Sequence, residues 1–230
     1  MKDAPLAFDI PAPTRLAIVG EAACFPVHRV YCIGRNYAAH AIEMGHDPDR
    51  EAPFFFQKNP SNLDQSGHFP YPAMTDDVHH EVELAVLLGS GGTDIAVDAA
   101  LSRVFGYALA IDMTRRDLQS AQKKAGRPWE IAKAFERSAP TGPVHRASEI
   151  GHPGTGSITL SVNGEIRQSG DLAQMIWKVP EIIATLSGYF ALAAGDVILT
   201  GTPDGVGAVA RGDVLDVAIA GLGAMRVEVV

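Results

Sequence analysis

Cysteine is scarce in this 230-residue chain. The two present, Cys24 and Cys32, are too few for a disulfide framework and have no CxxC spacing, which speaks for a reducing cytoplasm. Positive charge is also short. Nineteen Lys and Arg stand against 27 Asp and Glu, a formal net charge of −8, so the basic footprint of a nucleic-acid binder is missing. Long apolar runs are absent too: Gly, Asp, Arg or Pro interrupts every hydrophobic stretch well before the roughly 18 residues of a membrane span. No apolar core follows Lys2, as a signal peptide would require, and a soluble cytoplasmic protein is expected. There is no repeat, and the 23 Gly and 15 Pro are spread along the chain rather than gathered in a linker.

What is present is an ordinary globular mixture, 47% hydrophobic and 20% charged. Strand signals recur at Val30 to Ile33, Pro53 to Phe56, Val82 to Leu88, Val104 to Ile111, Ile158 to Val162, Val197 to Thr200 and Val214 to Ile219. Helical patterns are fewer: Tyr37 to Met44, Ala96 to Ser102, Arg115 to about Lys124, and two pieces between Asp171 and Phe190 divided where Pro180 can open a new helix. Helices do not alternate with strands, so the expected fold is α+β with a curled mixed sheet, not a doubly wound parallel one. Residues 1–27 are expected to be an appendage packed on a single catalytic domain of residues 28–230.

The chemistry begins at Glu81 and Glu83. Alternation from Val82 places Val82, Leu84, Val86 and Leu88 on one face and the two carboxylates together on the other. Like charges on a partly buried face repel, so one must protonate or a cation must sit between them. Asp112, ending the apolar run Phe105 to Ile111, supplies a third oxygen if the two segments pair. Three carboxylates suit Mg²⁺ or Mn²⁺, while His79 and His80 leave a lesser case for zinc.

A base lies upstream. Asn36 is a plausible N-cap, and His40 and Glu43, three residues apart on the following helix, could let the carboxylate orient the imidazole for water activation. Six of the 19 cations fall between Thr114 and Lys133, as an anionic substrate would require in an acidic protein. Arg116, Gln119 and Lys133 are the candidates for the interior, and Lys123 and Lys124 for a solvated helix face. Val197 to Ala208 is a strand running into a glycine-rich loop. Its GxGxxA string superficially fits a dinucleotide fingerprint, but Arg211-Gly212-Asp213 leaves no room for the helix that NAD binding needs. Small residues there, Gly201 and Thr202 among them, could instead receive a carboxylate or oxyanion.

In order, Gly34-Arg35-Asn36-Tyr37 with His40 and Glu43, Glu81-x-Glu83, Asp112-Met113-Thr114 with Arg116 and Gln119, Arg127-Pro128-Trp129 with Lys133, and Thr200-Gly201-Thr202-Pro203 resemble the fumarylacetoacetate hydrolase family from about residue 28 to the end. The length, Pro53-Phe54-Phe55-Phe56 and Met175-Ile176-Trp177 look most like its bacterial fumarylpyruvate hydrolase and acylpyruvase branch. The resemblance implies a mixed sheet rolled on itself, a homodimer, and Mg²⁺ or Mn²⁺ held by Glu81, Glu83 and Asp112. It implies hydrolysis of a carbon–carbon bond in a small 2,4-dioxo acid, with His40 and Glu43 as the water-activating dyad and Lys133 beside the reacting oxygens. Arg116, Gln119, Tyr37, Gly201 and Thr202 are then the substrate-binding candidates. Of the acylpyruvates, 3-fumarylpyruvate with its second carboxylate best suits the cation cluster and the Phe54 to Phe56 segment. Neighbouring members decarboxylate oxaloacetate on the same scaffold, which is the rival activity. A metal- or acid-binding module without catalysis is the rival from outside enzymology. A mobile segment over Glu43 to Arg50 is also expected.

Overall fold

A computed structural model of the chain describes residues 7–9, 11–38 and 52–230. The dyad His40 and Glu43, most of the helix expected at Tyr37 to Met44 and the expected mobile segment lie outside the described residues.

The architecture is the expected mixture of sheets with few short helices. A six-stranded sheet runs in the order His145–Arg146, Val104–Ile111, Val82–Leu88, Val197–Leu199, Val30–Gly34 and Phe54–Lys58. Within it, Val197–Leu199 and Val30–Gly34 pair in parallel and the other neighbours antiparallel. The long runs Val82–Leu88 and Val104–Ile111 form its centre, in a register that sets Val82 opposite Ile111. Immediately beyond that pair, the Asp112 amide donates to the Glu81 carbonyl at 2.8 Å. Two segments far apart in sequence thus deliver their acids to one place.

The sequence pattern predicted one apolar and one acidic face for Val82–Leu88, but every residue of this strand is buried. The reason is a second apolar layer. Leu84, Val86 and Leu88 join a large core with Ile158, Leu160, Val217 and Ile219 of a five-stranded sheet and Ile182, Ile183 and Leu186 of the helix Val179–Tyr189. On the opposite side Ala85 and Leu87 pack with Leu16, Phe25, Cys32 and Leu199 in a smaller core. Each fully buried side chain of the Leu, Ile or Phe kind stabilises the fold by about 1.5–3 kcal/mol, which fixes the register at the acidic end. Leu16 and Phe25 come from the short hairpin Arg15–Ala17 and Cys24–Pro26, so this part of the N-terminal stretch seals the sheet's second face.

The expected break before Pro180 is present: a 3-10 turn at Leu172–Gln174 precedes the helix Val179–Tyr189, with the proline in its first turn. The helix Arg116–Lys124 starts after a three-stranded sheet of Thr114–Arg115, Val78–His80 and Gly207–Val209. The Arg116 amide donates to the Asp77 carbonyl at 2.7 Å, aiming that helix's first turn at the acids. Glu81 itself lies in the one-residue break between Val78–His80 and Val82–Leu88.

Candidate metal centre

Glu81, Glu83 and Asp112 each offer a carboxylate oxygen within 4.8 Å of the others, and all three residues are buried. The pairing of Val82 with Ile111 creates this cluster, and three cations brace it. Lys133 Nζ donates to Glu81 Oε2 and Asp112 Oδ2, both at 2.8 Å, and to Thr114 Oγ1 at 2.6 Å. Arg116 Nη2 donates to Glu81 Oε1, while its Nη1 donates to Gln119 Oε1 at 2.5 Å. Lys58 Nζ approaches Asp112 Oδ1 at 2.8 Å.

Lys58 was not legible as a site residue. It ends the aromatic strand Phe54–Lys58 and is wholly enclosed, its ammonium shared among the Lys133 carbonyl, Ser138 Oγ at 2.9 Å and the Ser138 carbonyl at 3.2 Å. The same ammonium stands 2.8 Å from Asp112 Oδ1 as an ion pair that falls outside hydrogen-bond geometry. Three buried carboxylates whose oxygens lie within 4.8 Å of one another, one of those oxygens without a hydrogen bond among the described residues, are what a hard divalent cation satisfies, so the residues present fit a metal ion. Burial, then Asp112 and Glu81, push the Glu83 carboxyl well above its usual range, which is the repulsion such a cation would remove. Burial alone would depress the Lys133 ammonium, but Asp112 and Glu81 carry it above its ordinary value.

The zinc alternative loses its imidazoles. Among the described residues the acidic triad alone forms a metal-compatible group. His79 Nε2 pairs with Asp77 at 2.9 Å, and His80 Nδ1 with Gln168 Oε1 at 3.0 Å. Gln168 Oε1 also accepts from the Val82 amide, while its Nε2 donates to Thr202 Oγ1 at 2.8 Å and the Pro203 carbonyl at 2.9 Å. This buried amide therefore ties the acid-bearing strand to the glycine-rich loop. It comes from the polar strand Glu165–Asp171, whose sequence carries no apolar alternation to announce it.

The loop after Val197–Leu199 departs from expectation in one respect. The Gly201 amide, expected to face substrate oxygens, donates to Glu83 Oε2 at 2.7 Å and so fixes a member of the triad. Gly201 has φ +89°, and a Cβ there would stand 2.8 Å from Asn36 Cβ, so glycine is required by both conformation and space. Asn36, expected as an N-cap, uses its side chain to hold the site together. It donates to the Thr200 carbonyl at 2.8 Å and the Trp177 carbonyl at 3.0 Å, and accepts from the Trp177 amide at 2.7 Å.

A pocket opens over the triad. Glu81, Glu83 and Lys133 form its floor, Arg116, Gln119, Gly201 and Thr202 line it, and Phe54, Phe56 and Trp129 stand around it. Phe54 meets Trp129 edge-on at 5.0 Å. Lys123, expected on a solvated face, borders this pocket as well, because it follows Gln119 by one helical turn. Tyr37 does not reach the wall. Its ring is packed in the larger core with a hydroxyl that makes no hydrogen bond among the described residues, and burial, with Glu83 and Asp171 nearby, holds the phenol well above its usual range.

Fold and site together define a class: mixed-sheet proteins with a buried carboxylate triad suited to a divalent cation at the foot of a cation-lined pocket. Residues 29–230 match the model of the fumarylacetoacetate (FAA) hydrolase C-terminal family, and the chain belongs to the fumarylacetoacetate hydrolase family. The crystal structure of fumarylpyruvate hydrolase from Pseudomonas aeruginosa in complex with Mn²⁺ and pyruvate is 51% identical. It superposes with a TM-score of 0.96, covering 98% of this chain and 99% of that one. Oxaloacetate tautomerase YcgM of Escherichia coli is 44% identical over 88% of this chain and 93% of its own length. The mitochondrial oxaloacetate decarboxylase of Dictyostelium discoideum is 41% identical over 84% and 89%. Family members are enzymes, and the scaffold carries more than one activity on small acids.

Proposed function

We propose that this protein is a metal-dependent hydrolase that cleaves the carbon–carbon bond of a 2,4-dioxo acid, converting 3-fumarylpyruvate to fumarate and pyruvate. The observation that carries the reading is the buried triad beneath a pocket walled by Arg116, Gln119 and Lys133, in a chain similar over its whole length to a fumarylpyruvate hydrolase. Glu81, Glu83 and Asp112 would hold Mg²⁺ or Mn²⁺, which supplies Lewis acidity toward the substrate's 2-oxo acid oxygens and the enolate that leaves.

The protein's own residues do the remainder. His40, oriented by Glu43, takes the proton as water adds to the 4-oxo carbon. The bond between C3 and C4 then breaks, its electron pair passing to the pyruvate enolate. The hydroxyl stays on the fumaryl carbon, and the proton held by His40 is returned to C3. Lys133, through the charge of an ammonium whose hydrogens go to Glu81, Asp112 and Thr114, and Gln119 and Thr202, as donors, stabilise the oxygen that becomes negative; loss of one such donor lowers the rate on the order of 10²- to 10³-fold. Arg116, already bonded to Glu81 and Gln119, offers its guanidinium to the substrate carboxylate. Residues 28–230 form the catalytic domain, residues 1–27 an appendage to it, and the working unit is a cytoplasmic homodimer.

The test is a time course of the enol absorbance of 3-fumarylpyruvate with Mg²⁺, with fumarate and pyruvate expected in equal amounts. Turnover of acetylpyruvate or oxaloacetate alone would overturn the substrate assignment. The tautomerase and decarboxylase relatives favour a second reading, action on oxaloacetate, which needs enolate stabilisation and no activated water. His40→Ala separates the two: it abolishes hydrolysis and spares oxaloacetate decarboxylation.

A further inference from the structure

Gln168 is the one buried residue of the strand Glu165–Asp171. It pairs with Leu160 beside a register shift that leaves Arg167 without an opposite residue, a bulge of the kind that re-aims a neighbouring side chain. The loop after Val197–Leu199 lies flush on this bulge: a Cβ at Gly205, whose φ is +86°, would stand 2.0 Å from the Arg167 carbonyl oxygen. The Gln168 amide thereby reaches between that loop and the acid-bearing strand.

The polarity of this amide is fixed from both ends. The Val82 backbone N–H can only donate, so the atom 3.0 Å from it is Oε1; the Pro203 carbonyl can only accept, so the atom 2.9 Å from it is Nε2. His80 Nδ1, 3.0 Å from the same Oε1, is then a donor as well. Thr202 Oγ1, 2.8 Å from Nε2, must accept. A hydroxyl carries one hydrogen, and here that hydrogen is not spent on Gln168. Among the described residues, the bond accepted from Gln168 is the only hydrogen bond of the Thr202 side chain. Thr202 lines the pocket over the triad, next to Gly201, whose amide holds Glu83.

We propose that Gln168 is a positioning residue: by occupying a lone pair of Thr202 Oγ1, it turns the hydroxyl hydrogen toward the pocket, where it donates to the oxygen that becomes negative as water adds. This rests on the reading of the pocket as a 2,4-dioxo acid site, and adds the group that sets the sense of one of its donors. With an acceptor in place of Nε2, the hydroxyl would point at residue 168 and present only lone pairs to the substrate, which repel a developing anion.

Neutron diffraction from D₂O-exchanged crystals of the full chain reads the hydroxyl directly. Two deuterons on Gln168 Nε2 and a Thr202 deuteron directed away from Gln168 are expected; a Thr202 deuteron on the line to Gln168 overturns the proposal. A double-mutant cycle with 3-fumarylpyruvate and Mn²⁺ reads the consequence. Gln168→Glu keeps an acceptor for Val82 and His80 and replaces the donor by an acceptor, so kcat should fall at least about tenfold while KM changes less than about threefold. In Thr202→Val, which has no hydroxyl to turn, the same substitution should cost less than about threefold. Thr202→Ser restores the hydroxyl and should restore the sensitivity to Gln168→Glu. Equal losses with and without the hydroxyl mark a structural role and overturn the proposal. If the wild type leaves 3-fumarylpyruvate intact, the 2,4-dioxo acid reading fails and the hydroxyl's catalytic task with it, whereas a misdirected deuteron refutes the orientation by itself.

Discussion

Two wholly buried aspartates in this fold live in opposite electrostatic settings. Asp196, beside the strand Val197–Leu199, has every oxygen matched by donors: His28 Nδ1 at 2.8 Å and Arg29 Nε at 3.0 Å on one, Arg29 Nη2 and the Ala193 amide at 2.8 Å on the other. Asp112 shares its surroundings with Glu81 and Glu83, and although Lys58 and Lys133 stand beside it, one oxygen lacks a well-directed hydrogen bond. The first is a structural carboxylate, satisfied by the protein alone. The second belongs to a group that is completed by a further positive charge, and that difference distinguishes a brace from a binding site.

The comparison breaks or sharpens under mutation. The largest effect is expected from Glu83→Gln or Asp112→Asn, which should lower turnover on the order of 10³-fold or more, because several kcal/mol of metal-derived transition-state stabilisation are lost. Steady-state assays over a range of added Mn²⁺ read this directly. Lys58→Met should come next: removing one partner of a buried ion pair destabilises by roughly 3–5 kcal/mol, seen as a lower urea midpoint in chelator and partly recovered with Mn²⁺. A loss under about 1 kcal/mol would show that Asp112 does not depend on it. Asp196→Asn should lower stability by about 1–3 kcal/mol while turnover stays at the wild-type level, as expected of a brace.

The smallest effect is one of pH. Glu83 holds its proton more tightly when folded than unfolded, so between its usual value near 4.5 and its raised folded value the folded state binds more protons. Stability of the metal-free protein contributed by this group is therefore present at low pH and lost as pH rises through the folded value. Melting temperatures in chelator should fall across that window in the wild type and fall less in Glu83→Gln. Identical pH profiles would remove Glu83 from this role.

The apolar strands were the most legible part of the molecule. Val104–Ile111 and Val214–Ile219 carry continuous or alternating β-branched and aromatic residues, and their bounds can be read to the residue. The strand Glu165–Asp171 is hidden because one of its seven residues is buried, and that residue is Gln168. Glu81 and Glu83 were legible because carboxylates two apart in extended chain share a side, and Asp112 because it ends the apolar run that pairs with theirs. Lys58 was not, since nothing local distinguishes a lysine closing an aromatic strand from a surface lysine. Its role comes from Ser138 and Asp112, which are 80 and 54 positions away. Lys123 is exposed, as expected, and that it also borders a pocket follows only from Arg35 and Trp129 beside it.

The most direct measurement is anomalous scattering at the manganese edge from crystals soaked in Mn²⁺. A single strong peak per chain among the carboxylates of Glu81, Glu83 and Asp112, absent from Glu83→Gln crystals, is the expected result. Density elsewhere, or none in a protein whose turnover survives chelation, would contradict the account.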